Sequence, residues 1–355
     1  MRSPSICLVA ELPPPAGGMA LQAVWLSRLL RDAGHNVTNV PTNALPMDCV
    51  WRNIPLLRGI LNLYFFLQNL RRDCASADIV HIFSNSYLSF FLFTAPTVLW
   101  AKWQRRPVVL HYHGGAAEAF LGRWHHLARP LILPAYAVIV PSSFLQDTFS
   151  RFGIKSVVVP NVLTPNIQFR KRERLSPNLV MSRHLEPVYN IPCALHAFRL
   201  LLDKYPNASL VVAGGGTERD SLERLALELG LCENVHFTGS VSNEHVHKLY
   251  NQADIFLNSS LVDNQPISIL EAYACGLPVV STAAGGIPHL VRDGEDALLA
   301  RIDDPADLAK QVMRLLSEPE LAARLIRNGL ARTREFSPTE IYRQISAIYE
   351  EAMSQ

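Results

Sequence analysis

Two carboxylates with seven residues between them set the chemistry this chain can do. Asp263 and Glu271 bound the string Asp263-Asn264-Gln265-Pro266-Ile267-Ser268-Ile269-Leu270-Glu271, followed by Gly276-Leu277-Pro278-Val279-Val280-Ser281 and the pair Gly285-Gly286. Pro266 suits the first turn of a helix. Backbone N–H groups at a helix start lack intrahelical partners, and the helix dipole favours negative charge there. An anion such as a phosphate can therefore sit against Pro266, Ile267 and Ser268. Glu271 lies about a turn and a half further on, where its carboxylate can accept hydrogen bonds from sugar hydroxyls. Asp263, ahead of the helix, can face a group that the anion carries.

Other clusters share this polar character. Met181-Ser182-Arg183-His184 closes a strand pattern, with Tyr189 six residues beyond Arg183. Ala213-Gly214-Gly215-Gly216-Thr217 joins a strand pattern to a helix, and glycines permit a close approach of backbone to ligand. The spacing differs from the Gly-x-Gly-x-x-Gly of dinucleotide sites. Pro13-Pro14-Pro15-Ala16-Gly17-Gly18 makes a similar strand-to-helix turn near the N-terminus. His111 and His113 lie on one face of a strand without a third ligand, which argues against zinc. His81 is a further polar candidate, with a packed histidine as its plain alternative. His236, in Val235-His236-Phe237-Thr238-Gly239, reads as packed rather than ligating. No Asp-x-Asp metal motif occurs.

The elements that must hold these residues alternate. Strand patterns at Ile6–Ala10, Asn36–Val40, Asp78–Ile82, Pro107–Tyr112, Ala137–Val140 and Ser156–Val159 are separated by helical patterns such as Met19–Ala33, stopped by Gly34. A second alternation runs through strands Asn178–Ser182, Ala208–Ala213, Asn234–Thr238, Asp254–Asn258 and Pro278–Ser281, and is helical from Pro305 onward. This predicts parallel βαβ units and doubly wound α/β sheets. Between the two series, the stretch from Pro160 to Pro177 carries three prolines and Arg170-Lys171-Arg172-Glu173-Arg174, and residues 161–177 read as a linker. The domains predicted are thus 1–160 and 178–337, with a last helix over 338–355 crossing back to the first.

With 355 residues and 18% charged side chains the chain is a globular protein of two domains. Six scattered cysteines suggest neither zinc nor a disulfide framework and fit a reducing, cytoplasmic setting. Residues 1–160 carry 14 Lys and Arg against 7 Asp and Glu, so the net charge of +2 hides a basic first half. Four of five tryptophans lie between residues 51 and 124, near basic residues: Trp51-Arg52, Trp100 and Trp103 around Lys102, Arg105 and Arg106, and Arg123-Trp124. Trp and Arg beside an apolar helical stretch, Ile54–Arg72, suit contact with the cytoplasmic face of a membrane, with burial as the plain alternative. Nucleic acid is not an expected partner, because no reading module is present.

Taken together, these strings resemble the retaining GT-B glycosyltransferases of family 4. The resemblance implies two Rossmann-like domains facing each other across a cleft, and transfer of a sugar from a nucleotide diphosphate sugar to an acceptor hydroxyl in polysaccharide or glycolipid synthesis. It implies no cofactor and no metal. By position it assigns His113, Asp263 and Arg183 to catalysis. It assigns Gly17, Gly18, Arg183, Tyr189, Gly214, Gly215, Asn264, Pro266, Ile267, Ser268 and Glu271 to the donor, Glu271 holding the ribose. Two positions depart from the family pattern: Asp263 stands where Glu is usual, and Tyr189 where a Lys holds the diphosphate. These departures motivate a rival reading, a non-catalytic nucleotide-sugar-binding protein. A GT-B sugar-nucleotide epimerase is another, and an NAD-dependent dehydrogenase a third that lacks its fingerprint.

Overall fold

The runs Ile79–Ser84 and Val108–Tyr112 are apolar, β-branched or aromatic at almost every position, as strands covered on both faces must be. Both are buried along their whole length in the computed structural model, which describes residues 3–14, 17–45, 54–164 and 167–354. Two structural units divide the chain: 1–162 with 338–355, and 163–337.

The first unit contains β1 (Ser5–Ala10), α1 (Gly18–Asp32), β2 (Asn36–Pro41), α2 (Pro55–Asp73), β3 (Ile79–Ser84), α3 (Tyr87–Ser89), α4 (Ala95–Trp103), β4 (Val108–Tyr112), α5 (Ala117–Ile132), β5 (Ala137–Val140), α6 (Ser143–Arg151) and β6 (Val157–Val158). Its sheet is parallel, in the order β2-β1-β3-β4-β5-β6. Gly34, at φ 88°, ends α1 in the left-handed conformation that glycine reaches without a Cβ clash. One face of the sheet is covered through Phe66, Val98, Phe120 and Phe149 from α2, α4, α5 and α6. The other is covered by Ala23, Leu26 and Leu30 of α1.

The second unit contains β7 (Asn178–Ser182), α7 (Ile191–Leu202), β8 (Ser209–Ala213), α8 (Arg219–Glu228), β9 (Val235–Gly239), α9 (Asn243–Gln252), β10 (Ile255–Asn258), α10 (Ile267–Ala274), β11 (Val279–Thr282), α11 (Ile287–Leu290), β12 (Ala297–Ala300), α12 (Pro305–Ser317) and α13 (Pro319–Arg332). Its parallel sheet runs β12-β11-β10-β7-β8-β9. The order reverses between β7 and β10, and doubly wound sheets bind ligands beyond the carboxyl ends of strands at such a switch point. In the first unit the reversal falls between β1 and β3.

The chain returns to the first unit through α14 (Pro338–Met353), whose Ile341, Ile345 and Tyr349 join the cluster of α1. The stretch expected as a linker, 161–177, belongs from Leu163 onward to the second unit. Its anchor is Arg172, whose side chain is fully enclosed. That guanidinium donates to the carbonyls of Tyr250, Ala253, Cys275 and Arg170. The strand β12 went unread, because Ala-Leu-Leu-Ala carries no β-branched or aromatic signal. The cysteine expectation is also corrected: Cys7 in β1 and Cys74 behind α2 form a disulfide, with Cα atoms 5.3 Å apart. No helix among the described residues is long and apolar enough to cross a membrane.

Candidate functional site

At the switch point of the second sheet, the turn after β7 carries Arg183. Its Nε donates to Asn258 Oδ1 at 2.9 Å, and its Nη2 lies 3.3 Å from Asp263 Oδ2. The guanidinium carbon sits 5.3 Å from the centre of the Tyr189 ring, within cation–π range. Asn258 is itself fixed: its Nδ2 donates to Ser281 Oγ, and Ser260 Oγ donates to its Oδ1. Asn258, Ser260, Ser281 and Thr282 are fully buried at the ends of β10 and β11. This shell under Arg183 escaped sequence reading, although polar residues ending apolar strands are its signal. Burial raises the Tyr189 pKa above its ordinary value, against the opposing pull of Arg183, so the residue is a neutral phenol.

Asp263 and Arg183, expected in separate roles, form a largely buried ion pair. Burial raises the Asp263 pKa, while Arg183 and the backbone N–H groups of Gln265 and Asn264 pull it down. The glycine pair explains how the Asp263 loop lies so deep. Gly286 N donates to Asp263 O at 2.7 Å. A Cβ on Gly285 would meet Asp263 O at 2.5 Å, and one on Gly286 would meet Asn264 O at 2.1 Å. Gly214 acts similarly: its Cβ would stand 1.8 Å from Arg183 O. The room freed at Gly214 is thus filled by the Arg183 turn rather than by open space, and the Cβ of Gly215 would meet Ser240 Oγ at 2.4 Å. Beyond the loop, α10 begins at Ile267 with Pro266 as its cap. Ser268, buried in the first turn, has a hydroxyl without a hydrogen-bond partner among the described residues.

Among the described residues, two hydrogen bonds hold Glu271, and an imidazole stands near it. Thr164 Oγ1 donates to Oε1 at 3.1 Å and the Tyr250 hydroxyl donates to Oε2 at 3.4 Å. His247 Nε2 stands 3.7 Å from Oε1. The Tyr250 oxygen also bonds Ser182 Oγ. Burial, and then the charge of Glu271, raise the Tyr250 pKa well above its ordinary value.

In the first unit, Gly17 and Gly18 open α1 beyond β1, and a Cβ at either would meet nothing within 4 Å. Pro15 and Ala16 of the same turn, like Trp51 and Arg52, lie outside the described residues. His113 follows β4, with its ring stacked on Phe83 at 5.0 Å and 4.3 Å from that of His111. Burial lowers its pKa to about 3. His81 is packed, as its plain alternative had it. It bonds Tyr349 of α14 at 2.7 Å and His111 at 3.3 Å. Burial lowers its pKa to about 3 as well, and that of His111 well below its ordinary value. His236, expected to be packed, is exposed on β9. Among the described residues no group of three or more His, Cys, Asp or Glu is placed to hold a metal ion.

Two family models match adjoining parts of the chain. Residues 16–166 match Glycosyltransferase Family 4, and residues 166–332 match Glycosyl transferases group 1. The chain belongs to glycosyltransferase family 4, a family of transferases. It is 30% identical over 217 residues to the D-inositol 3-phosphate glycosyltransferase of Acidothermus cellulolyticus, covering 56% of this chain and 48% of that protein. It is 29% identical over 266 residues to the MMP alpha-(1->4)-mannosyltransferase of Mycolicibacterium hassiacum, covering 72% and 61%. The match thus spans less than two thirds of either relative's own length. Among solved structures, sucrose-phosphate synthase from Thermosynechococcus elongatus superposes with a TM-score of 0.77 at 19% identity, covering 99% of both chains. Anabaena HepE in complex with UDP-glucose does so with a TM-score of 0.76 at 18% identity, covering 98% of this chain and 99% of that one. These likenesses establish the GT-B fold.

Proposed function

We propose that the protein transfers a sugar from a nucleotide diphosphate sugar to an acceptor hydroxyl, with retention at the anomeric carbon and without a divalent cation. The observation that carries this reading is the grouping of Arg183, the start of α10 and Glu271 around the switch point of the second sheet. Departure of a nucleotide diphosphate concentrates negative charge on its phosphates. Arg183 and the N-terminal N–H groups of α10 are fixed before reaction and would stabilise that charge without reorganising. Tyr189 adds a neutral hydroxyl where the family carries an ammonium, so Arg183 provides the positive charge. Asp263 holds the guanidinium in register and stands beside the position of the transferred sugar. Glu271 accepts the ribose hydroxyls. His113, kept neutral by burial, orients an acceptor hydroxyl as an uncharged hydrogen-bonding group. Gly17 and Gly18 leave room for backbone to approach a phosphate.

The acceptor proposed is a saccharide or a lipid-linked saccharide, used in polysaccharide or glycolipid synthesis, at the cytoplasmic face of a membrane. Outward residues of the first unit support it: Leu99 and Trp103 of α4 and Trp124 and Leu127 of α5 are exposed, among Lys102, Arg105, Arg106 and Arg123.

The test couples binding to turnover. A panel of UDP-, GDP- and ADP-sugars should contain one that raises the unfolding temperature by mass action. That donor should release free nucleotide diphosphate only when acceptor is present. Binding without turnover on any acceptor extract would leave a nucleotide-sugar-binding protein. Conversion of the donor alone would make it an epimerase.

A further inference from the structure

Among the described residues, the hydrogen bonds of Glu271 leave its acceptor capacity half used, and evenly so. An ionised carboxylate offers about four lone-pair positions, two on each oxygen. Thr164 takes one on Oε1 at 3.1 Å, and Tyr250 takes one on Oε2 at 3.4 Å. His247 Nε2, at 3.7 Å, is beyond hydrogen-bond reach and takes none. One lone pair therefore remains on each oxygen. That vacancy matches two hydroxyls on adjacent carbons, each donating to its own oxygen.

We propose that Thr164 and Tyr250 are positioning residues that present Glu271 to a vicinal diol, the 2′- and 3′-hydroxyls of a ribonucleotide, and so make the site select ribose over 2′-deoxyribose. The proposal rests on the nucleotide-sugar reading of this site. Both partners act only as donors to the carboxylate, which when ionised is acceptor-only. Neither is free to swing away. Tyr250 is fully buried, and its oxygen also bonds Ser182 Oγ. Thr164 is 9% exposed and follows Leu163, whose N–H donates to Phe336 O at 2.9 Å. With these two bonds in place the carboxylate cannot rotate to satisfy a lone hydroxyl better than a pair. A 2′-deoxy ligand then leaves one lone pair of a nearly buried carboxylate unmatched, which costs more than the bond alone is worth. Selection on the order of tenfold to a hundredfold follows.

Titration calorimetry with UDP, GDP and ADP and the 2′-deoxy form of each tests this. For the nucleotide that binds tightest, the unaltered protein should prefer the ribose form by on the order of tenfold to a hundredfold. Thr164→Val keeps the shape and removes the hydroxyl. Tyr250→Phe does the same for the phenol. Each should shrink the ratio severalfold while the deoxy form binds as before, and Thr164→Ser should restore it. A merely structural role would weaken both forms alike and leave the ratio unchanged, which would overturn the proposal. Equal binding of both forms by the unaltered protein would overturn it too. If none of the three diphosphates binds, the donor-site reading itself fails, and the proposal falls with it.

Discussion

The Arg183 guanidinium answers to the fold as well as to the ligand proposed for it. It neutralises the largely buried Asp263 at 3.3 Å and bonds Asn258 at 2.9 Å. Removing one member of a buried pair strands the other charge, at a cost of about 3–5 kcal/mol. Arg183→Ala should therefore lower the stability of the second unit by that order, as well as abolish donor binding. In the double variant Arg183→Met, Asp263→Asn no charge is stranded, so most of the stability should return while donor binding stays lost. Chemical denaturation beside donor titration separates the two effects, and recovery of binding in the double variant would refute the phosphate role. The sequence named Arg183 and Asp263 but kept them apart, because a pairing between two loops depends on how deeply each is seated. That depth comes from Gly214, Gly285 and Gly286, whose missing Cβ atoms are replaced by neighbouring backbone. Glycine runs were legible as close-approach points. What approaches them was not, since the partner is distant in sequence.

Helices and strands were legible wherever their own periodicity carried them. The strands β4, β7 and β8 lie within a residue of their expected spans, and β3 within two, for each is an apolar run bounded by turn residues. Residues 161–177 misled because proline and charge dominate them, whereas one side chain, Arg172, decides where they go. Burial and the nearby Arg170 lower its pKa to about 10, which leaves it charged at neutral pH and bonded to four carbonyls. The outer faces of α4 and α5 pose the opposite case. Trp103 is 78% exposed and Leu99 53%, so burial does not account for these two side chains. Vesicles rich in anionic lipid should carry the protein in a flotation gradient at low salt, and release it as salt screens Lys102, Arg105 and Arg106. Trp103→Ala with Leu99→Ala should weaken flotation at every salt concentration. Failure of the unaltered protein to float at low salt would refute membrane contact.

Across the whole molecule, the buried imidazoles tie stability to pH. His81 and His113 stay neutral down to about pH 3, and His111 lies well below its ordinary value. Unfolded imidazoles take up protons near 6.5, so below that pH the unfolded state binds more protons than the native one. Stability should be flat above that point and fall as pH drops toward 4, each such group contributing about 1.4 kcal/mol per pH unit. Unfolding of the first unit followed from pH 7 to pH 5 should show this slope, and His111→Gln should reduce it by about that increment; an unchanged slope in the variant would contradict the assignment. Both sheet orders are those of doubly wound folds, legible as a class from the strand–helix alternation, but the return of α14 through Ile341, Ile345 and Tyr349 has a consequence in time. A ribosome reaches Pro338 only after making all of 163–337, which at about 5–20 residues per second takes roughly 9 to 35 s. Until then the nascent first unit lacks the helix that covers part of its sheet, while the second unit emerges entire. Though encoded second, the unit of residues 163–337 can complete its folding first.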